Sequence, residues 1–355
     1  MNKKSIMLIV SMILLFTVSC NDPETIITNF VHPDGSVTRK IEMRSMDGDK
    51  QKRFKISDIQ VPLDNSWKVR DSCEVDKKGD TIYVRRAEKL FKSVKEINQA
   101  YSADSGSNRT TAREAEFKKS FKWFNTEFRF SEQIGKRLSF GYPVKKFLNN
   151  EELLYFYSPE VVQNNNLDGP DSVKYRALRD SVKYNTDRWT AKNMVSEWIG
   201  QFSNLTSTEK ADTEISLKNL KSREDEFARL ILKEDKGFDS LWKNGIILKQ
   251  FIGESNALKY KTEADSSLSI VTKKLFANFE NYSVRIVMPG KLIGTNGFID
   301  STKKLIWPVT SDYFLTEPYV MWAESKTPNM WAWIVSGIFL VFVISGVVIR
   351  VIKKD

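Results

Sequence analysis

Histidine and cysteine are scarce in this chain. Its 355 residues include one histidine, His32, and two cysteines, Cys20 and Cys73. Serine–histidine and cysteine–histidine catalysis and multi-histidine zinc sites therefore have almost no residues to use. The run Val31–Gly35 contains Pro, Asp and Gly, so we interpret His32 as part of a hairpin turn. We interpret Cys73 as a small, half-buried strand residue without a disulfide partner.

The common catalytic and phosphate-binding motifs are also missing. The sequence contains no GxxxxGK[ST], GxGxxG, GxSxG or HExxH. The run Asn164–Gly169 has calcium-ligand residue types at alternate positions, but Pro170 follows it, and Tyr175 stands where a bidentate Glu is required. We therefore predict no enzyme, no catalytic residue, no metal and no cofactor. A hydrolase that uses carboxylates or a Ser–Lys pair is the third-ranked alternative.

Long blocks of one charge are absent, although the formal net charge is +10. Lys3, Lys4 and the net +2 of residues 350–355 account for four of these charges, which leaves about +6 on the body. A modest positive charge without a recognisable binding module argues against a nucleic-acid partner. A basic surface of this kind would be attracted to anionic lipid headgroups.

The N-terminus predicts export. Lys3 and Lys4 precede an apolar core, Ile6–Val18, that is too short to span a bilayer stably. The run Thr17–Cys20 resembles a bacterial lipobox, with Thr where Leu is usual. That resemblance implies a signal peptide over residues 1–19, cleavage before Cys20 and diacylation of Cys20. An uncleaved anchor is the alternative, and both interpretations place the following residues outside the cytoplasm.

The C-terminus predicts a membrane-spanning helix. Trp331–Ile349 contains no charge and would make about 28 Å of helix, close to the hydrocarbon thickness of a bilayer. Aromatic residues mark its outer edge and basic residues its inner edge: Trp322, Trp331 and Trp333, then Arg350, Lys353 and Lys354. We predict a transmembrane helix over 330–351 and a cytoplasmic tail over 352–355. Both anchors would most simply occupy the cytoplasmic membrane, with a periplasmic body.

Residues 20–150 have mostly strand patterns. One hairpin is predicted around Pro33–Gly35, and a second joins Trp67–Val75 to Thr81–Arg86. Glu88–Tyr101 has apolar residues at helical spacing and predicts a helix. Phe121–Phe130 is predicted as one aromatic strand.

That aromatic strand supplies the candidate ligand-binding residues. Phe124, Phe128 and Phe130 share one parity, while Phe121 and Trp123 share the other. Apolar groups on both faces suit either a central strand that is covered on both sides or a sheet whose concave face holds an apolar ligand. Both alternatives remain open from the sequence.

Residues 151–280 predict a charged helical insertion whose apolar stripes pack on one another or form an exposed docking surface. Its helices are predicted at Val173–Asn185, Ala191–Leu205, Thr213–Leu232, Phe238–Ile252 and Ser266–Phe279. After residue 280, apolar side chains recur at every second position, as in β-strands, and residues 281–329 predict a C-terminal β-meander. The fold class is therefore α+β, with a sheet formed from N- and C-terminal segments, a large helical insertion and a transmembrane helix.

Two terminal pieces of the chain resemble the LppM-type lipoprotein domain. The resemblance is carried by Met288-Pro289-Gly290, Thr295-Asn296-Gly297 and Trp307 before a last strand and an anchor helix, and by the strand pair of Glu24–Arg44. It covers about 120 residues. It implies an α+β domain whose terminal strands share one sheet, with an apolar cavity for lipid-like ligands. The helical insertion departs from the family pattern.

These observations predict a non-enzymatic cell-envelope lipoprotein. The first functional hypothesis is that it binds or scaffolds a partner protein of the envelope while its lipid anchor and helix contact membrane lipid. The alternative is a carrier or sensor of an apolar or lipid envelope ligand held against the aromatic strand.

Overall fold

The structure is a computed structural model of the chain. It describes residues 24–46, 54, 63–75, 79–103, 111–158, 172–208, 215, 217–233, 238–275, 279, 281–299 and 304–353. The predicted signal peptide, Cys20 and the calcium-like run Asn164–Gly169 lie outside the described residues.

The described strands form two sheets. In chain order they are β1 (Glu24–Val31), β2 (Val37–Ser45), β3 (Lys68–Val75), β4 (Thr81–Phe91), β5 (Arg113–Lys122), β6 (Asn125–Ile134), β7 (Tyr282–Val287), β8 (Lys291–Thr295), β9 (Phe298–Ile299), β10 (Leu305–Val309) and β11 (Tyr319–Pro328). The larger sheet has the order β3-β4-β2-β1-β7-β10-β9, and the smaller one has the order β5-β6-β11-β8. The two predicted hairpins are confirmed as β1–β2 and β3–β4.

Strands from the two ends of the chain pair with each other in both sheets. In the larger sheet β1 lies parallel to β7, with Ile27 opposite Val284. In the smaller sheet β11 lies antiparallel to β6 over its whole length, from Tyr319 opposite Ile134 to Pro328 opposite Asn125. The predicted α+β fold, built from N- and C-terminal segments, is confirmed. The C-terminal strands are divided between the sheets, because β8 pairs with β11 while β7, β9 and β10 join the larger sheet.

The two sheets pack face to face over one apolar core. Inward-facing residues alternate with outward-facing ones, as on β2, where Val37, Ile41 and Met43 are buried. Trp307 and Phe130 are buried in the same core and come from opposite sheets. A sandwich of this kind needs residues from both ends of the chain, which explains why its strands flank the insertion in sequence.

The described helices lie mainly in the insertion. They are α1 (Val94–Ala103), α2 (Asn150–Tyr157), α3 (Ser172–Thr208), α4 (Leu217–Ser222), α5 (Glu224–Lys233), α6 (Phe238–Lys243), α7 (Ile246–Ile252), α8 (Glu254–Lys259), α9 (Lys261–Leu275) and α10 (Met330–Ile352). Several predicted boundaries are wrong. The helices predicted at Thr213–Leu232 and Phe238–Ile252 are each divided in two, and the helix predicted from Ser266 begins at Lys261. The two helices predicted within 173–205 form the single helix α3, because no Gly or Pro interrupts residues 186–190. The helix predicted from Glu88 begins at Val94, because Phe91 still pairs with Val37.

The insertion has its own core and is docked on the sandwich by hydrogen bonds. Trp198 of α3 is fully buried among aromatic residues of α5, α6 and α7. The Tyr142 amide donates to Asn193 Oδ1 (2.6 Å), and Trp189 Nε1 donates to the Tyr142 carbonyl (2.8 Å). The Phe140 amide donates to a Glu197 carboxylate oxygen (2.7 Å). These bonds join α3 to the segment that follows β6, and thus to the end of β6 remote from Asn125.

Candidate functional site at the base of the anchor helix

The C-terminal helix α10 is apolar and stands free of the body over most of its length. Met330–Arg350 is long and apolar enough to cross a membrane, and 6% of its most apolar stretch is buried. Leucine, isoleucine, valine and phenylalanine side chains are exposed on all sides from Ile334 onward. The predicted C-terminal helix is confirmed, and its exposure fits membrane association.

Asn329 joins the start of α10 to the turn between β5 and β6. Its backbone amide donates to the Phe124 carbonyl (2.9 Å), and its side-chain nitrogen donates to the carbonyls of Lys122 (2.8 Å) and Trp123 (3.2 Å). Its side-chain oxygen accepts from Thr126 Oγ1 (2.8 Å). Its own carbonyl accepts from the first turn of α10. One residue therefore connects the hairpin tip to the helix.

Aromatic side chains surround this junction. Trp331 stacks on Phe121, with ring centroids 6.1 Å apart, and meets the Trp123 ring edge-on at 5.3 Å. Phe124 contacts Trp333 at 4.5 Å. We call these five residues the aromatic collar; all are more than one-third exposed. Exposed aromatic rings at the start of an apolar helix are typical of side chains at the membrane–water interface.

A polar contact extends the collar along the helix. Trp123 Nε1 donates to Ser336 Oγ at 3.1 Å, and Ser336 lies about 9 Å along the helix from Met330, at 1.5 Å per residue. The hairpin tip therefore lies beside the first two turns of α10. The hairpin and the helix form one unit, and the position of the body relative to the helix is fixed at this point.

The predicted single strand Phe121–Phe130 is wrong, and this separates the candidate ligand residues. Lys122 ends β5 and Asn125 begins β6, so Phe124 lies in the turn and is 38% exposed in the collar. Phe128 and Phe130 are 3% and 0% exposed. They lie on the inner face of β6, and Phe128 stacks on Phe117. The structure brings Phe128 and Phe130 together in the core but not with Phe124.

The collar includes two of the three tryptophans that the sequence predicted at the outer edge of the membrane helix. Trp331 and Trp333 are part of it, but Trp322 lies on β11, eight residues before Met330, beneath the Arg129 guanidinium (4.5 Å). Sequence reasoning missed Trp123 and Asn329, whose roles depend on a contact between residues about 200 positions apart. The sequence carried no local signal for either residue, because the turn at 123–124 contains no Gly, Pro, Asn or Asp.

A buried polar cluster lies inside the sandwich. Arg39 donates to Glu132 (2.6 Å), Asn29 (2.7 Å) and Tyr101 (2.6 Å), and Asn29 donates to Glu132 (2.8 Å). Burial disfavours a charge on Arg39, but Glu132 and Tyr101 outweigh it and raise the pKa of the guanidinium above its ordinary value. Burial raises the pKa of Tyr101 as well. The cluster links both sheets to α1.

The cavity beside this cluster is small. It measures about 10 Å³, which is room for one water molecule. Arg39, Glu132 and Asn29 are nearly or fully buried and bonded to one another. The arrangement therefore suits a structural link between the sheets better than a substrate site. A carrier of an apolar ligand would need a different place in the molecule or a rearranged core.

His32 and Cys73, the scarce residue types of this chain, lie in a turn and on an edge strand. His32 lies in the β1–β2 turn, with Nε2 2.9 Å from Thr38 Oγ1, and Gly35 supplies the positive φ of that turn. Cys73 is exposed on the edge strand β3, so the half-buried position predicted for it is wrong. Within the described part of the chain, no three His, Cys, Asp or Glu side chains are grouped as metal ligands.

Comparisons with known proteins give one weak structural similarity. No protein-family model and no curated protein matches the chain. The chain is similar to the folded domain of the LppM protein of Mycobacterium tuberculosis, solved by NMR, with 8% sequence identity and a TM-score of 0.29 over 89% of this chain and 95% of that chain. This is the weak resemblance that the terminal strands predicted. A similarity at this level supports no statement about a ligand or an activity.

Proposed function

We propose that this protein is a non-enzymatic cell-envelope protein that α10 holds in the cytoplasmic membrane and whose helical insertion binds a partner protein outside the cytoplasm. The observation that carries this proposal is the position of the insertion at the opposite end of the sandwich from α10. The basic residues Arg350, Lys353 and Lys354 would lie on the cytoplasmic side. Cys20 would carry a lipid.

The backbone pairing supports the separation of the two ends. The collar lies next to Asn125, at one end of β6, whereas the Leu138 amide donates to the Leu315 carbonyl just beyond Ile134, at the other end. The ten residues of β6 extend about 30 Å at 3.3 Å per residue. With the strands directed away from the bilayer, the insertion is held about 30 Å or more from its surface.

The surface of the insertion supports protein contact. Apolar side chains that are more than one-third exposed lie on several of its helices: Leu217, Leu232, Ile246 and Leu258. A groove of about 320 Å³ between α5 and α7 is lined by apolar residues, among them Phe227, Leu230 and Ile247, and by charged residues such as Arg229. Apolar and charged side chains that lie together in a groove suit contact with a protein.

Site-specific photocrosslinking in intact cells tests the partner hypothesis. A benzophenone amino acid at Arg229 or Leu258 on the insertion is compared with the same residue at Glu116, an exposed position on β5. We expect a discrete protein adduct from the insertion positions and none from position 116. Adducts only from position 116, or from none of the three, would contradict the proposed binding surface.

The proposed topology and lipid have separate tests. Protease added to spheroplasts should degrade the body and spare a short C-terminal fragment, whereas full protection of the body would show the opposite orientation.

Cys20→Ala should abolish acyl labelling and slow processing, and the variant should stay in the membrane fraction because α10 remains. An unchanged acyl label would exclude Cys20 as the modified residue.

A further inference from the structure

We propose that Lys291 and Lys326 form a binding site for the phosphate of an anionic phospholipid in the leaflet that α10 enters. This inference rests on the proposed function, because it requires the base of the sandwich to face a membrane. The site lies on the smaller sheet, next to the aromatic collar.

Strand register places the two lysines side by side. Lys291 on β8 lies directly opposite Lys326 on β11, so both side chains project from the same face of the sheet. The turn before β8 fixes this register. Gly290 has a φ of 77°, and a Cβ on it would lie 2.4 Å from the Lys326 carbonyl oxygen. The close approach of the two strands therefore holds both lysines in place.

The two carboxylates beside this lysine pair in the smaller sheet form ion pairs with other basic residues. Glu127 lies opposite Lys326 on its other side, but it forms an ion pair with Lys122 (3.7 Å), and Glu324 pairs with Arg129 (2.5 Å). Neither Lys291 nor Lys326 makes an ion pair with a carboxylate in the described part of the chain. Directly opposed like charges destabilise a strand pair, and an anion between the ammonium groups would relieve this repulsion.

The height of the pair above α10 matches a lipid headgroup. Lys326 precedes Asn329 by three residues, which is about 10 Å along a strand. The headgroup layer extends about 5–8 Å beyond the hydrocarbon on each side of a bilayer. A lysine stem can lower its ammonium group toward the bilayer while the methylenes cover apolar surface. Both charges therefore reach phosphates beside the helix, and such lysines attract anionic lipid strongly.

The test uses the full-length protein in phosphatidylcholine vesicles that contain a trace of spin-labelled lipid. Electron paramagnetic resonance measures the fraction of labelled phosphatidylglycerol, compared with labelled phosphatidylcholine, that the protein immobilises. We expect a preference for phosphatidylglycerol that falls about fivefold or more in the variant Lys291→Gln/Lys326→Gln. The preference should also weaken as salt is raised.

Two control variants make the result specific. Lys218→Gln/Lys221→Gln removes the same charge from the insertion and should keep the preference, and Lys291→Arg/Lys326→Arg should keep it too. Thermal unfolding of the Gln variant should be unchanged or improved, since the repulsion is gone. An unchanged preference in the Gln variant, or an equal fall in the insertion variant, would overturn the proposal. Failure of the chain to float with vesicles would instead refute the membrane anchoring.

Discussion

Glu132 joins the two sheets through buried hydrogen bonds. It accepts hydrogen bonds from Arg39 and Asn29 of the larger sheet and from Tyr101 of α1. Glu132→Gln would leave the Arg39 guanidinium buried without a counter-charge, which costs about 3–5 kcal/mol. We expect that loss in the free energy of unfolding, measured by urea titration of the detergent-solubilised protein.

The double variant Arg39→Met/Glu132→Leu is the matched control for this prediction. Replacing both charges with apolar groups of similar size removes the unpaired charge, so the double variant should be more stable than Glu132→Gln. Equal destabilisation of both variants would show that the ion pair is not what makes Glu132 important.

Tyr142 makes stability sensitive to alkaline pH. Burial, followed by the hydrogen bond that its hydroxyl donates to Glu224 (2.8 Å), raises the pKa of Tyr142 to about 12. Because the folded state favours the neutral phenol, this contribution to stability is complete below pH 10 and is lost as the pH rises toward 12. Urea titrations at pH 9 to 12 should show a smaller decline for Tyr142→Phe than for the wild type. Tyr184→Phe, at an exposed position, should decline like the wild type.

At the residue scale, the sequence predicted which side chains are buried better than which side chains contact one another. The parity of Phe128 and Phe130 correctly allowed a core position. Phe124 shares that parity and was still misplaced, because the two-residue turn at 123–124 contains no Gly, Pro, Asn or Asp to reveal it. The turn is held by Asn329, more than 200 residues away, and no local pattern reports such a contact.

Asn329 also joins two elements, the β5–β6 hairpin and α10. Asn329→Ala removes the three side-chain hydrogen bonds to Lys122, Trp123 and Thr126, each of which contributes about 0.5–1.5 kcal/mol. We expect lower thermal stability and faster proteolysis at the hairpin tip in detergent. Asn329→Asp keeps the acceptor for Thr126 but sets a carboxylate oxygen against the carbonyls of Lys122 and Trp123, so its loss should be at least as large as that of Asn329→Ala. Unchanged proteolysis in Asn329→Ala would mean that the aromatic contacts alone hold the tip.

The insertion can be tested as a separable element. Phe279 contacts Phe314, and Tyr157 contacts Tyr313, so the chain leaves and re-enters the sandwich at neighbouring positions. Replacing residues 172–275 with a Gly/Ser linker should leave a cooperatively unfolding β-rich protein with reduced helical circular dichroism. A broad, non-cooperative urea transition would show that α3 belongs to the core of the sandwich.

Elements with local signals were predicted, and their ends were not. Both early hairpins carry turn residues between alternating strands, and α10 is a long uncharged run, so the sequence alone identified them. The helices of the insertion were recognised as a group. Their boundaries were not, and the continuity of α3 through Trp189, where no Gly or Pro interrupts the chain, was missed. The division of β7–β11 between two sheets has no local signature either.

At the scale of the whole molecule, strand direction limits where a lipid on Cys20 can reach. β1 runs parallel to β7, whose end leads through a short turn to Lys291 at the base, so Glu24 lies at the end remote from α10. Cys20 precedes Glu24 by four residues, which span at most about 14 Å. An upright body therefore places that lipid away from the bilayer that holds α10. Both anchors can share a bilayer only if the body lies along its surface.

In the proposed function, α10 and its collar hold the body upright, with the insertion far from the membrane. The full chain is placed in vesicles whose lipid headgroups carry short-range quenchers. A fluorophore is attached through an azide-bearing amino acid, either at position 122, beside the collar, or at position 229, on the insertion. We predict strong quenching at position 122 and none at position 229 when Cys20→Ala removes the lipid. Comparable quenching at both positions would contradict the upright arrangement and the function proposed from it.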